Sequence, residues 1–209
     1  MAATPNTRSS GSNALNVLAD GELGSAAQRD RRKRILDATL ALASKGGYEA
    51  VQMRAVAERA DVALGTLYRY FPSKIHLLVT SLAREFERSQ DKLQRAKIPG
   101  DTPNERLLFV LSRVTRALQR DPHLTEAMTR AFMFADASAA AEVDTVGRLM
   151  DDMFATAMSE DGNPTEDQLA IARVIGDVWL SNLVAWVTRR ASATDVANRL
   201  ELTVRLLLG

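Results

Sequence analysis

The 209 residues are 46% hydrophobic, 25% charged and 5% aromatic, a balance that suits an aliphatic globular protein of one large or two small domains and excludes a disordered chain. No cysteine is present, which excludes disulfide scaffolds and thiolate chemistry; with no uninterrupted apolar run near the ~20 residues of a membrane helix and no leader pattern, a soluble cytoplasmic protein without a membrane partner is expected. The net charge of +1 hides a division: residues 28–97 carry 15 Lys/Arg against 8 Asp/Glu and residues 98–209 carry 11 against 16, so the basic part is suited to a polyanion and the acidic part to another task.

Residues 1–24, rich in Ser, Asn, Ala and Gly without a sustained period, are expected to form a flexible arm. A helix is predicted from about Gln28, with Ile35, Leu36, Thr39, Leu42 and Ala43 at helical spacing and Lys45-Gly46 as its stop. Met53 to Ala60 and Leu64 to Phe71 read as two short helices separated by Asp61-Val62-Ala63, a helix-turn-helix pattern that Pro72 ends. Ser73 caps a fourth helix carrying Ile75, Leu78, Leu82 and Phe86 to about Lys97, and Ile98-Pro99-Gly100-Asp101 is a joint. Thr102-Pro103-Asn104-Glu105 is a capping box for a helix to about Gln119, and Asp121-Pro122 opens the next. Asp136 or Ser138 begins a helix to about Met158, Thr165 and Gln168 begin one to near Arg190, and Thr194-Asp195 opens the last. The expected fold is all-α with about nine helices: an arm (1–24), a DNA-binding unit with its connecting fourth helix (25–97), and a larger unit (98–209).

The third helix divides into two faces. With Leu67 as the zero of a helical wheel, Phe71 lies at about 40° and Leu64 about 60° to the other side, whereas Gly65, Thr66 and Arg69 fall near 160°, 260° and 200°. That second face combines little bulk with a hydroxyl and a guanidinium, and Tyr68 stands at its margin. A helix that enters the major groove needs such a face. Arg69 is the first candidate for a base edge, Thr66 and Tyr68 for phosphate oxygens, Lys74 for the next phosphate, and Arg54 for a base or phosphate.

Residues 28 to about 80, above all Gly65-Thr66-Leu67-Tyr68-Arg69-Tyr70-Phe71-Pro72-Ser73-Lys74, resemble the DNA-binding domain of TetR-family transcriptional repressors. The resemblance implies DNA contacts from Gln52, Arg54, Leu64, Gly65, Thr66, Tyr68, Arg69, Tyr70 and Lys74. Three positions depart from the usual pattern: Gln52 stands where Thr or Ser is common, Asp61 replaces the turn glycine, and Leu64 replaces a polar residue. Asp tolerates a left-handed backbone, so the turn is expected to survive.

The acidic unit is read from its own residues. Ala172, Ile175, Trp179, Leu183 and Trp186 share one stripe, flanked by Val174, Val178, Leu180 and Val184, and so wide an apolar arc implies burial on two sides. One side suits the monomer core and the other, with the last helix, a homodimer that would present two recognition helices to palindromic double-stranded operator DNA. Met128, Phe132, Phe134, Met150, Met153 and Phe154, with Trp179, suit an adaptable apolar pocket, and Asn182 on the buried stripe needs a partner or a ligand. The stretches Glu126 to Phe132, Phe134 to Ser138, Asp177 to Leu183 and Arg189 to Val196 resemble the sterol-catabolism branch of the same family. That implies a small lipophilic inducer, a steroid coenzyme A thioester; a fatty acyl-coenzyme A or a lipophilic drug is the alternative. No cofactor or metal is expected, because His76 and His123, the only histidines, have no metal-ligand spacing. Nucleophile-elbow, P-loop and dinucleotide patterns are also missing, so no enzyme is expected.

Overall fold

The computed structural model describes the backbone from residue 11 and the side chains from residue 26 to the C-terminus. Among the described residues nine α-helices and one 3-10 turn form the fold, with no strand. The first helix, α1 (Gly11–Ala50), begins well before the expected Gln28. No proline interrupts it. Residues 1–10 of the expected arm lie outside the described residues. At Gly46 and Gly47 (φ 67°) α1 leaves helical geometry, at the stop expected from Lys45-Gly46. A β-carbon on Gly47 would lie 2.7 Å from Glu126 Oε2, so both conformation and space require glycine there.

The short helices α2 (Met53–Arg59) and α3 (Leu64–Tyr70) follow. Between them Asp61 adopts φ 52°, the left-handed turn expected of an aspartate. Arg34 fixes this turn: its Nη1 donates to the Ala60 carbonyl at 2.6 Å and the Asp61 carbonyl at 3.3 Å. Ile35 and Leu36 of α1, Val56 of α2 and Leu67 of α3 are buried with Leu77 and Leu78 of α4 (Lys74–Gln94). Apolar burial therefore fixes which face of α3 remains outside.

In the larger unit, α5 (Pro103–Gln119) and α8 (Glu166–Val187) begin with the expected capping boxes, Thr102 with Glu105 and Thr165 with Gln168. Asp121 caps α6 (Pro122–Met133). Of the two candidates for the next start, Asp136 is the cap, for a 3-10 turn (Ala137–Ala139) that leads into α7 (Ala140–Met158). The last helix, α9 (Ala193–Leu208), is capped by Ser192 reciprocally with Asp195, and not by Thr194. Ser192 lies three residues before Asp195, the spacing that lets each side chain reach the other's amide. Arg106 of α5 donates to the carbonyls of Ala157 and Met158 at 3.2 and 2.8 Å, satisfying the end of α7.

α4 packs on α6 and α7, α7 on α8, and α5 on α7 and α9, while α1 lies along α6. α8 is long and apolar enough to cross a membrane by length and composition alone, with mean hydropathy 1.4. Here Ala172, Ile175, Trp179 and Leu183 face the core, and Val174 faces outward.

Candidate nucleic-acid interface and effector cavity

The proposed DNA-facing side chains are gathered on α2, α3 and the start of α4, in different degrees of freedom. Arg54 and Arg69 are exposed, as are Gln52, Gly65 and Tyr68, while Thr66 is half-buried. Gln52 occupies the N-cap of α2 without a side-chain capping bond, so its amide is free to face outward. A β-carbon at Gly65 would meet nothing within 4 Å; the protein's own packing makes no demand for glycine there. Leu64 and Tyr70 are half-buried against the core, and the Tyr70 ring lies 6.3 Å from that of Phe71. Only their outer edges can face a ligand.

Lys74 departs from expectation. Instead of standing free for a phosphate, its ammonium donates to the Tyr48 carbonyl at 3.1 Å and sits 3.8 Å from the Tyr48 ring centroid. Burial lowers its pKa, with Glu49 acting in the opposite direction. Arg130 of α6 lies over the same ring at 4.4 Å and pairs with Glu49 at 2.9 Å. Glu126 of α6 accepts the Tyr48 amide at 2.8 Å. The bend after Lys45 is thus clamped between α4 and α6, across the two parts of the molecule. A second tie is His76, buried on α4: its Nδ1 is 2.9 Å from Ser73 Oγ and its Nε2 3.0 Å from the Ser138 carbonyl. Because the carbonyl can only accept, Nε2 carries a proton and donates.

Between α4, α6, α7 and α8 lies an apolar cavity of about 30 Å³, close to the share of one water molecule in the liquid. Met128, Phe132, Met150 and Trp179 line it, as expected, together with Leu82, Phe86 and Leu183. Four expectations are corrected. Phe134 caps α6 with 74% of its surface exposed and points outside, because the helix has ended there. Met153 and Phe154 are buried but do not line the cavity; the Phe154 ring instead braces Trp179 edge-on at 6.0 Å. Asn182 is buried without facing the cavity, donating to the Val178 carbonyl at 2.8 Å and accepting from Arg199 at 3.4 Å. The polar group that does face it is Thr129, which is buried and has no side-chain hydrogen bond among the described residues. Its spacing from Met128 and Phe132 was visible in the sequence, but a threonine on an aliphatic face carries no signal of its own. Trp179 is held by donation from Nε1 to Thr115 Oγ1 at 2.8 Å.

A paired-helix head joined through α4 and α6 to a helical unit with an apolar cavity defines the TetR class. The family models agree: residues 35–79 match bacterial regulatory proteins of the tetR family and residues 100–207 match the tetracyclin repressor-like C-terminal domain. The chain belongs to the TetR family of transcriptional regulators. It is 74% identical over 193 residues to the HTH-type transcriptional repressor KstR of Mycolicibacterium smegmatis, covering 92% of this chain and 94% of that one. To KstR of Mycobacterium tuberculosis it is 70% identical, over 92% of this chain and 87% of the other. Among solved structures, a TetR regulator from Rhodococcus sp. RHA1 superposes with TM-score 0.79 at 33% identity, covering 87% and 97% of the two chains. Thermus thermophilus FadR in complex with lauroyl-CoA shares the fold with TM-score 0.67 at 22% identity, over 85% and 93%.

Proposed function

We propose that this chain is a homodimeric cytoplasmic repressor of sterol-catabolism genes that leaves palindromic operator DNA when it binds a steroid coenzyme A thioester. The stretches that resemble the sterol branch of the family and the identity of 70–74% to KstR repressors support the class of gene. The observation that carries the mechanism is the size and walls of the cavity. At about 30 Å³ it is far below the roughly 300–1,000 Å³ of ligand pockets, so an inducer enters only by displacing helices. Two of those helices, α4 and α6, hold the DNA-binding head on their other faces.

Displacement of α4 and α6 changes the spacing of two recognition helices, which on B-DNA must reach half-sites about 34–36 Å apart. Inducer and operator then weaken each other by the same factor. On the DNA side, Arg69 and Arg54 read base edges, while Gln52, Thr66, Tyr68 and the backbone at Gly65 hold phosphates, with the exposed edges of Leu64 and Tyr70 beside them. In the cavity, Thr129 offers its hydroxyl to an oxygen of the steroid, among Met128, Phe132, Met150 and Trp179.

Fluorescence anisotropy of labelled operator DNA tests this reading. A steroid coenzyme A thioester should release the DNA at concentrations where a long-chain fatty acyl-coenzyme A does not. Release by the fatty thioester alone would transfer the protein to the fatty acid alternative, and indifference to both would reject thioester induction.

A further inference from the structure

One concavity of the acidic unit is lined by cations without acids. Between the C-terminal halves of α4 and α5 runs a groove of about 430 Å³ whose walls include Lys92, Arg113, Arg116 and Arg120 and no carboxylate. Lys92, Arg113 and Arg120 make no hydrogen bond or ion pair among the described residues. Arg116 bonds only to Ser112, one turn back. The setting makes this notable: residues 98–209 hold 11 basic and 16 acidic side chains. The larger groove between α5 and α9, about 810 Å³, mixes Arg116 with Glu105 and Glu201.

Cations are favoured in the last turn of a helix, which accounts for Lys92 and Arg116 singly. It does not account for four of them converging on one hollow, where like charges repel. A polyanion relieves that repulsion, and arginine forks suit phosphate oxygens in particular. DNA is not the occupant, since Lys92 lies eighteen residues along α4 from Lys74, roughly 27 Å at the helical rise. The groove instead continues the seam that holds the apolar cavity. On α4, Ser89 of the groove is one turn beyond Phe86 of the cavity; on α5, Ala117 of the groove adjoins Leu118 of the cavity.

We propose that this groove seats the pyrophosphate and the ribose phosphate of a coenzyme A thioester whose acyl body lies in the cavity. The proposal rests on the thioester reading above and adds the residues that hold the charged end: Arg113 and Arg120, with Lys92 and Arg116 beside them.

Calorimetric titration of the full chain with free coenzyme A, adenosine 3′,5′-bisphosphate and ATP measures the groove without an acyl group. The Arg113→Ala/Arg120→Ala variant should bind coenzyme A at least about tenfold more weakly, as expected for loss of charge-assisted hydrogen bonds. Arg113→Lys/Arg120→Lys should recover part of the affinity. Arg148→Ala, on α7 outside the groove, should change nothing. All these side chains are exposed, and a thermal melt verifies that the variants fold. Binding of coenzyme A by the double alanine variant within about twofold of the parent, or equal binding of ATP, overturns the proposal. If the groove fails in this way while the thioester still releases operator DNA, the inducer reading survives. Arginine-dependent binding of coenzyme A beside operator DNA indifferent to the thioester supports the groove and removes the inducer reading.

Discussion

Gly65 has open space where a β-carbon would stand, so its smallness serves something outside the protein. Alanine there should raise the melting temperature slightly, since Gly costs a helix interior about 1 kcal/mol relative to Ala. The same change should weaken operator binding by holding the α3 backbone off the phosphates. A more stable Gly65→Ala protein with full operator affinity would show that the backbone makes no close approach. Arg69, exposed on the same face, is assigned a base edge. Arg69→Ala should cost roughly 1–3 kcal/mol and relax selection at one operator position. Binding measured against a set of single-base operator variants checks this, and unchanged discrimination would assign Arg69 to phosphate contact. The direction of these side chains was legible because a seven-residue helix with Leu67 and Phe71 buried leaves its other face outside. The engagement of Lys74 by Tyr48 was not, because the pair lies 26 residues apart in the chain.

At the scale of the helix, local signals and distant ones behave differently. Thr102 with Glu105, and Thr165 with Gln168, are boxes whose partners stand three residues apart, so the starts of α5 and α8 could be read directly. The clamp between the end of α1 and α6 joins Tyr48 to Glu126, 78 residues away, and no periodicity reveals it. The sequence therefore presents α4 as the lever between the two parts, whereas the structure gives α6 an equal hold. α6 lines the cavity with Met128, Thr129 and Phe132 and grips the head with Glu126 and Arg130. Glu126→Ala takes the acceptor from the Tyr48 amide and should lower stability by about 1 kcal/mol at this partly exposed site. Its larger effect should be on coupling: the ratio of operator affinities with and without saturating inducer should fall toward one while inducer binding persists. An unchanged ratio would leave α4 as the sole lever.

For the whole molecule, the question is which surface joins two copies. The width of the apolar arc on α8 indicated two buried sides, and the structure separates them. Trp179 belongs to the monomer, braced by Phe86 and Phe154 and bonded to Thr115; a charge there would unfold the core instead of parting a dimer. The outward side is carried by Val174 on α8 and by Leu202, Leu206 and Leu207 on α9, with Leu206 exposed by 74%. These four are a majority of the large apolar side chains left exposed among the described residues, and such a concentration marks a partner surface. A two-fold axis here would bring the same patch of each copy together. Val174→Asp and Leu206→Asp place charges outside the core, so the helical signal and melting temperature should stay close to those of the parent. In analytical ultracentrifugation the double variant should sediment as a monomer. Because two recognition helices then no longer bind as one unit, operator affinity should fall by about 100-fold or more, while each monomer keeps its weak half-site contact. A double variant that remained dimeric would move the interface elsewhere; one that became monomeric yet bound the full operator as tightly as before would show that palindrome recognition does not depend on this pairing.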